Sequence, residues 1–143
     1  MIIEPMNWFI VFIAWLISCI ATLGSLFFSE VMMFPPCSLC WYQRIAMYPL
    51  TILLLPAILK FDRSVFKYTL PLASIGWLIA VFHSLIYYGF IPETASPCSQ
   101  GVSCTAVHIE FFGFMSIPFL SALAFTLVLI LLSISFRKST HEK

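Results

Sequence analysis

Long apolar stretches alternate with short polar segments along the chain. Five apolar stretches that lack Asp, Glu, Lys and Arg cover residues 5–29, 31–43, 45–59, 68–92 and 111–136. Roughly 20 helical residues cross a hydrocarbon core about 30 Å thick, so the first, fourth and fifth stretches can each span a bilayer. The third is short, but Trp41 and Tyr42 can extend it at the headgroups while Arg44 reaches toward water. The pattern predicts a single domain of four transmembrane helices, near residues 7–28, 41–59, 68–90 and 113–136.

The composition supports a membrane protein. Of the 143 residues, 62% are hydrophobic and 9% are charged, whereas an ordinary soluble domain carries about 25% charged residues. A soluble domain of this size has too much surface for its volume to hide so many apolar side chains. The remaining stretch, 31–43, contains Pro35 and Pro36 and is interpreted as a loop. We therefore expect an all-α integral membrane protein, a four-helix bundle in the lipid bilayer.

The distribution of charge predicts the orientation. Six of the seven basic residues follow the second or the fourth predicted helix: Lys60, Arg63, Lys67, Arg137, Lys138 and Lys143. The other two loops carry Glu30, Glu93 and Glu110, with Arg44 at the membrane edge. By the positive-inside rule both termini and the middle loop are cytoplasmic, and the other two loops are extracytoplasmic. The first helix is expected to be retained, because its start lacks the positive charge of a signal peptide, although residues 16–19 resemble a lipoprotein cleavage box. With a net charge of +1 and no basic stripe, no nucleic-acid partner is expected.

Four of the five cysteines fall in the two predicted outer loops. Cys37 and Cys40 form a C-x-x-C pair, and Cys98 and Cys104 form a second pair with five residues between them. Cys19 lies within the first helix, where a packed apolar role is expected. Two static disulfides would suit an oxidising outer space, and four cysteines in two pairs also suit structural zinc. A redox relay by thiol–disulfide exchange is the third alternative, and the C-x-x-C spacing favours it.

The surroundings of the first pair strengthen the redox interpretation. If the second helix begins near Cys37, its N-terminal N–H groups favour a thiolate there. Cys40 and Arg44 are then i and i+4 on one face, so the positive charge is expected to favour a thiolate at Cys40. His83 is predicted at a similar depth on the third helix, and ionisable groups at membrane depth are functional candidates. Cys40, Arg44 and His83 outline an apolar-walled site near the outer surface that would accommodate a lipid-soluble quinone.

The four spans, the C-x-x-C followed by Arg44 at the start of the second helix, and the second pair between helices three and four resemble the DsbB family. The short length and the closely spaced Cys98 and Cys104 resemble its Gram-positive BdbC branch. The resemblance covers essentially the whole chain and is most specific over residues 36–44. It implies a membrane quinone reductase that reoxidises a thioredoxin-like extracytoplasmic thiol oxidase of the DsbA or BdbD type, in the bacterial cell membrane, with menaquinone or ubiquinone as cofactor.

The resemblance also implies roles for individual residues. Cys37 and Cys40 would be the quinone-proximal pair, with Cys40 next to the quinone and with Arg44 and His83 binding it. Cys98 and Cys104 would take electrons from the partner. Two structural alternatives remain, a zinc-binding protein and a disulfide-braced protein without redox turnover. A vitamin K epoxide reductase-like enzyme is a further alternative, although its C-x-x-C is expected on the last helix. The sequence leaves open the roles of two polar residues after Cys104, His108 and Glu110.

Overall fold

Four long helices make up most of the chain, so the predicted all-α class is confirmed. The computed structural model describes residues 5–60, 63–95, 97–99, 102–105 and 116–141. The helices are α1 (Pro5–Leu26), α2 (Ser38–Leu59), α3 (Phe66–Tyr87) and α4 (Ile117–His141). Each is long and apolar enough to cross a membrane. The chain is thus a multi-pass membrane protein.

Several helix ends differ from those predicted. A π-helical turn, Phe27–Val31, prolongs α1, and α2 begins three residues before the predicted start. α3 runs from Phe66 to Tyr87. It begins two residues before the predicted start and ends three residues before the predicted end. Gly89, with φ 79°, follows it and turns the chain away from the helix axis. α4 continues to His141, five residues past the predicted end, and the predicted residues 113–115 lie outside the described part.

The helices form a ring in which α1 packs on α2, α2 on α3, α3 on α4 and α4 on α1. Small residues allow close approach at the centre. A Cβ added to Gly76 of α3 would collide with the Phe125 ring of α4 and lie 2.9 Å from Ala46 Cβ of α2. Large apolar side chains such as Ile52 and Leu78 point outward and are exposed. This arrangement suits a bundle whose outer surface meets lipid.

Polar side chains join the helices within the bundle. Trp77 Nε1 of α3 donates to Thr126 Oγ1 of α4 at 2.9 Å, and Ser135 Oγ of α4 donates to Asn7 Oδ1 of α1 at 3.2 Å. Trp8 Nε1 donates to the carbonyl oxygen of Ile58, which links α1 to α2. Such bonds satisfy groups that have no water to bind in lipid. They fix the relative positions of the four helices, among them α2 and α3, which carry Cys40 and His83.

Candidate active site

The first cysteine pair sits at the start of α2. Pro35 and Pro36 lack N–H groups and favour extended backbone, so the helix begins only after them. Cys37 is the N-cap residue, and its Sγ accepts a hydrogen bond from the backbone N–H of Cys40 at 3.4 Å. The two sulfur atoms lie 3.0 Å apart, and both residues are thiols. The helix start therefore holds the two sulfurs close enough to form a disulfide with little movement.

Cys37 is an acidic thiol. Its hydrogen bond with the Cys40 side chain, aided by His83 and by the Cys40 backbone N–H, lowers the pKa of Cys37 to about 4, although burial opposes the shift. A helix N-terminus favours a thiolate in the same sense. The thiolate near neutral pH is thus Cys37 and not Cys40, where the charge of Arg44 was expected to favour it, because the hydrogen bond between the two sulfurs stabilises the charge on Cys37. Because only the thiolate attacks disulfides, this sulfur is prepared for thiol–disulfide exchange.

His83 lies against the first cysteine pair. Its side chain is 2% exposed on α3, and its Nε2 is 3.8 Å from Cys37 Sγ. Its Nδ1 lies 3.0 Å from Nε2 of Gln43, a buried side chain on α2. Sequence reasoning missed Gln43, although an amide inside an apolar helix, three residues after Cys40, is a signal that could have found it. His83, which the sequence predicted as a quinone-binding residue, therefore also contacts Cys37 directly.

Arg44 is held between α1 and α2. Its Nε donates to Ser25 Oγ at 2.9 Å and its Nη2 donates to the Ser25 carbonyl oxygen at 3.0 Å. The guanidinium also lies over the Trp41 ring, 5.3 Å from the centroid. These contacts immobilise a positive charge one turn deeper than Cys40.

The second cysteine pair lies directly over the first. Cys98 and Cys104 form a disulfide with a Cα–Cα distance of 5.7 Å, and both are buried, at 3% and 4% exposure. The sulfur atoms of Cys37, Cys98 and Cys104 all lie within 4.8 Å of one another. Ser38 Oγ also donates to the Pro97 carbonyl oxygen at 3.5 Å. An exchange between the two pairs therefore needs sulfur movements of only a few ångströms.

Glu93 fixes the turn that carries Cys104. Its Oε1 accepts from the Cys104 backbone N–H at 2.8 Å and from Ser103 Oγ at 2.6 Å, and its Oε2 accepts from Thr105 Oγ1 at 3.2 Å. The hydrogen bond from Ser103, with those from Cys104 and Thr105, lowers the pKa of Glu93. The carboxylate thus anchors the second pair near the first, a role that the sequence did not reveal.

A cavity of about 460 Å³ opens beside the first pair. Side chains of all four helices and of the loop over them line it, and its walls are mainly apolar. Its polar lining includes Cys37, Cys40, Gln43, Arg44, Tyr48 and His83. The volume and the few polar groups are typical of a small-molecule site. A lipid-soluble quinone fits this lining, because the apolar walls suit its ring and Arg44 offers a donor for its oxygen.

The structure gathers all six predicted site residues into one region: Cys37, Cys40, Arg44, His83, Cys98 and Cys104. Cys19 is a half-buried thiol in α1, and His108 and Glu110 lie outside the described residues. Cys37, Cys40 and His83 are close enough to share a metal ion. A zinc site of four thiolates, however, is incompatible with the Cys98–Cys104 disulfide.

Comparison with known proteins identifies the family. The sequence model described as "Disulfide bond formation protein DsbB" matches residues 7–135. The chain belongs to the DsbB family. It is 48% identical over 119 residues to "Disulfide bond formation protein C" of Bacillus subtilis strain 168, covering 82% of this chain and 85% of that protein. A "Probable disulfide formation protein" of Metapseudomonas resinovorans is 42% identical over 136 residues, which is 94% of each chain. No solved structure gives a significant match.

The expected resemblance to DsbB and its BdbC branch is therefore confirmed. "Probable disulfide formation protein C 1" of Bacillus anthracis is a further relative, 46% identical over 122 residues, which are 85% of this chain and 88% of that protein. Membership in the DsbB family makes this chain a multi-pass membrane protein of disulfide bond formation, with disulfide-forming oxidoreductase activity.

Proposed function

We propose that this DsbB-family chain is a membrane thiol:quinone oxidoreductase that reoxidises a thioredoxin-like extracytoplasmic thiol oxidase. The observation that supports it best is the position of Cys37. Its sulfur lies within 4.8 Å of both sulfurs of the Cys98–Cys104 disulfide, and Cys37 also lines the apolar cavity. Electrons from the second pair thus have a short route to a ligand in that cavity.

The first step of the proposed relay is exchange with the partner. A thiolate of the reduced partner attacks the Cys98–Cys104 disulfide, with Cys98 as the expected site of the mixed disulfide. The second partner thiol then resolves it, so the partner leaves oxidised and both cysteines become thiols. Because Cys98 and Cys104 are buried, the loop must move outward for this exchange.

The second step transfers the electrons inward. A thiolate of the second pair attacks Cys37 of the oxidised first pair, and Cys40 leaves as a thiolate. The remaining thiol then resolves the mixed disulfide, which restores the Cys98–Cys104 disulfide and leaves Cys37 and Cys40 reduced. That product has the same redox states as the structure described here. The low pKa of Cys37 favours its release as a thiolate in the resolving attack.

The last step returns the first pair to its disulfide. A quinone held in the cavity would supply the two-electron acceptor, and Cys37 and Cys40 would give up two electrons and two protons to it as their disulfide forms. Cys40 and Arg44 line the cavity on the same side of α2, and the charge of Arg44 attracts an electron-rich oxygen. His83 touches Cys37 and is positioned to take or return a proton there. The apolar walls exclude water and admit a ligand from the bilayer.

The proposal includes the orientation derived from the basic residues. With both termini and the middle loop cytoplasmic, both cysteine pairs face the extracytoplasmic side, where a soluble thiol oxidase can reach them.

The decisive experiment uses purified protein in detergent with a quinone analogue and a reduced thioredoxin-like oxidase, and follows quinone absorbance. We expect loss of absorbance that requires the partner and all four paired cysteines. Cys98→Ser should stop partner oxidation but leave Cys37 and Cys40 oxidisable by quinone. Cys19→Ser is the matched control and should keep full turnover.

Three outcomes would contradict the proposal. Partner turnover by Cys98→Ser would refute the two-pair relay. Absence of turnover together with one zinc per chain would instead support a metal site. Absence of both turnover and metal would indicate a disulfide-braced membrane protein.

A further inference from the structure

Tyr48 has a buried hydroxyl without a hydrogen-bond partner. Its side chain lines the cavity, and its hydroxyl is the only buried side-chain N or O atom left unpaired among the described residues. Other polar side chains of the bundle find partners across helices, as Thr22 does with Thr51 at 3.1 Å. An unpaired buried hydroxyl is unfavourable, and in lipid no water compensates for it. Such an exception needs an explanation, and a ligand in the cavity that Tyr48 lines would supply one.

The position of Tyr48 on α2 relates it to the proposed quinone site. Cys40, Arg44 and Tyr48 are i, i+4 and i+8, so they share one face of the helix. All three line the same cavity. With a rise of 1.5 Å per residue, Tyr48 lies about 6 Å deeper along the axis than Arg44 and about 12 Å deeper than Cys40. Arg44 and Tyr48 therefore contribute to the cavity lining at two different depths.

We propose that the Tyr48 hydroxyl donates a hydrogen bond to the deeper oxygen of the bound quinone, while Arg44 serves the oxygen nearer the cysteines. This inference rests on the proposed quinone reduction and adds a binding residue to it. Tyr48 is a donor without a protein acceptor, whereas Arg44 retains N–H groups beyond the two bound to Ser25. Donors at opposite ends select ligands with oxygens on opposite sides of the ring, as in 1,4-quinones.

The test compares Tyr48→Phe with Tyr42→Phe, a control on the same helix whose side chain is 47% exposed. The probe is a short-chain 1,4-benzoquinone. Its dissociation constant is measured by quenching of tryptophan fluorescence, and melting temperatures are recorded with and without it. We expect Tyr48→Phe to raise the dissociation constant about 3- to 10-fold, the usual effect of losing one hydrogen bond. Its melting temperature without quinone should not fall, because the hydroxyl has no protein partner to lose.

The outcomes separate a ligand contact from a structural role. Tyr42→Phe should match the wild type in every measurement. Unchanged quinone affinity in Tyr48→Phe would overturn the inference while leaving the proposed function intact. A lower melting temperature without quinone, with no loss of the quinone-induced rise, would assign Tyr48 a packing role. If the wild type neither binds nor reduces the quinone, the proposed function itself fails, and this inference fails with it.

Discussion

The acidity of Cys37 can be tested by the pH dependence of its alkylation. With a pKa of about 4, the reduced sulfur is about 99% thiolate at pH 6, whereas a thiol with the ordinary pKa of about 8.5 is only about 0.3% thiolate. The thiolate fractions therefore differ by about 300-fold. Nucleophilicity falls with pKa by a Brønsted factor of about 0.4–0.5, so the absolute rates differ far less. The shape of the pH profile is the diagnostic quantity.

The assay is pulsed iodoacetamide labelling of anaerobic, reduced protein between pH 3 and pH 9, with Cys37 modification quantified by mass spectrometry. We expect a rate that rises around pH 4 and is flat from about pH 6 upward. Cys40→Ala should move the midpoint to higher pH, because it removes the largest contribution to the lowered pKa. His83→Phe should shift it in the same direction. Cys19→Ala, which leaves these contacts intact, should leave the midpoint unchanged.

A wild-type rate that climbs about tenfold per pH unit up to pH 8 would refute the reasoning, because it would show an ordinary thiol. The hydrogen-bond explanation would also fail if neither Cys40→Ala nor His83→Phe changed the profile.

Three further predictions concern the cavity, the second-pair loop and the bundle core. Arg44→Met should raise the KM for quinone about 10- to 100-fold, the usual range for a lost charged hydrogen bond, and leave exchange with the partner intact. An unchanged KM for quinone together with impaired partner exchange in steady-state kinetics would exclude this role. Glu93 has a lowered pKa, so its stabilisation of the loop is complete above about pH 4.3 and is lost as pH falls through the lowered value. Hydrogen exchange at the Cys104 amide should show that loss, and Glu93→Ala, which removes the acceptor, should leave this amide unprotected at every pH. Equal protection in both proteins would contradict the prediction. Gly76→Ala should lower the free energy of unfolding by about 1–3 kcal/mol in thermal unfolding. Gly24→Ala is the control and should not lower it, because its Cβ would meet nothing within 4 Å. Equal changes in the two variants would contradict the explanation by crowding at Gly76.

Hydropathy predicted the number of helices because lipid imposes the same length on every span. It predicted their ends less well, since a helix need not stop where its apolar stretch stops. α2 starts at Ser38 because Pro36 and the Cys37 cap set its first turn, although the apolar count started at Trp41. α4 continues through Arg137, because basic residues are favourable near a helix C-terminus.

In the candidate site, too, some features could be predicted from the sequence and others depend on how the helices pack. The cysteine pairs and Arg44 were visible because short spacings determine which side chains share a loop or a helix face. The contact of Gln43 with His83 and the place of Tyr48 in the cavity were not visible, because they depend on how α2 is rotated against its neighbours. Ser25, the partner of Arg44, lies 19 residues away in the sequence and is adjacent only after the bundle has packed.

The hydrogen bonds around Cys37 have a consequence for the reduction potential of the first pair. Groups that stabilise the Cys37 thiolate stabilise the reduced form, and a disulfide whose reduced form is stabilised is a stronger oxidant. The Cys37–Cys40 couple should therefore lie above an ordinary dithiol couple and draw electrons from the pair above it. In the proposed relay an acceptor of still higher potential collects them, a condition that membrane quinones can satisfy and a thiol pool cannot. In this way the contacts of a single sulfur atom at a helix start can set the direction of electron flow through the protein.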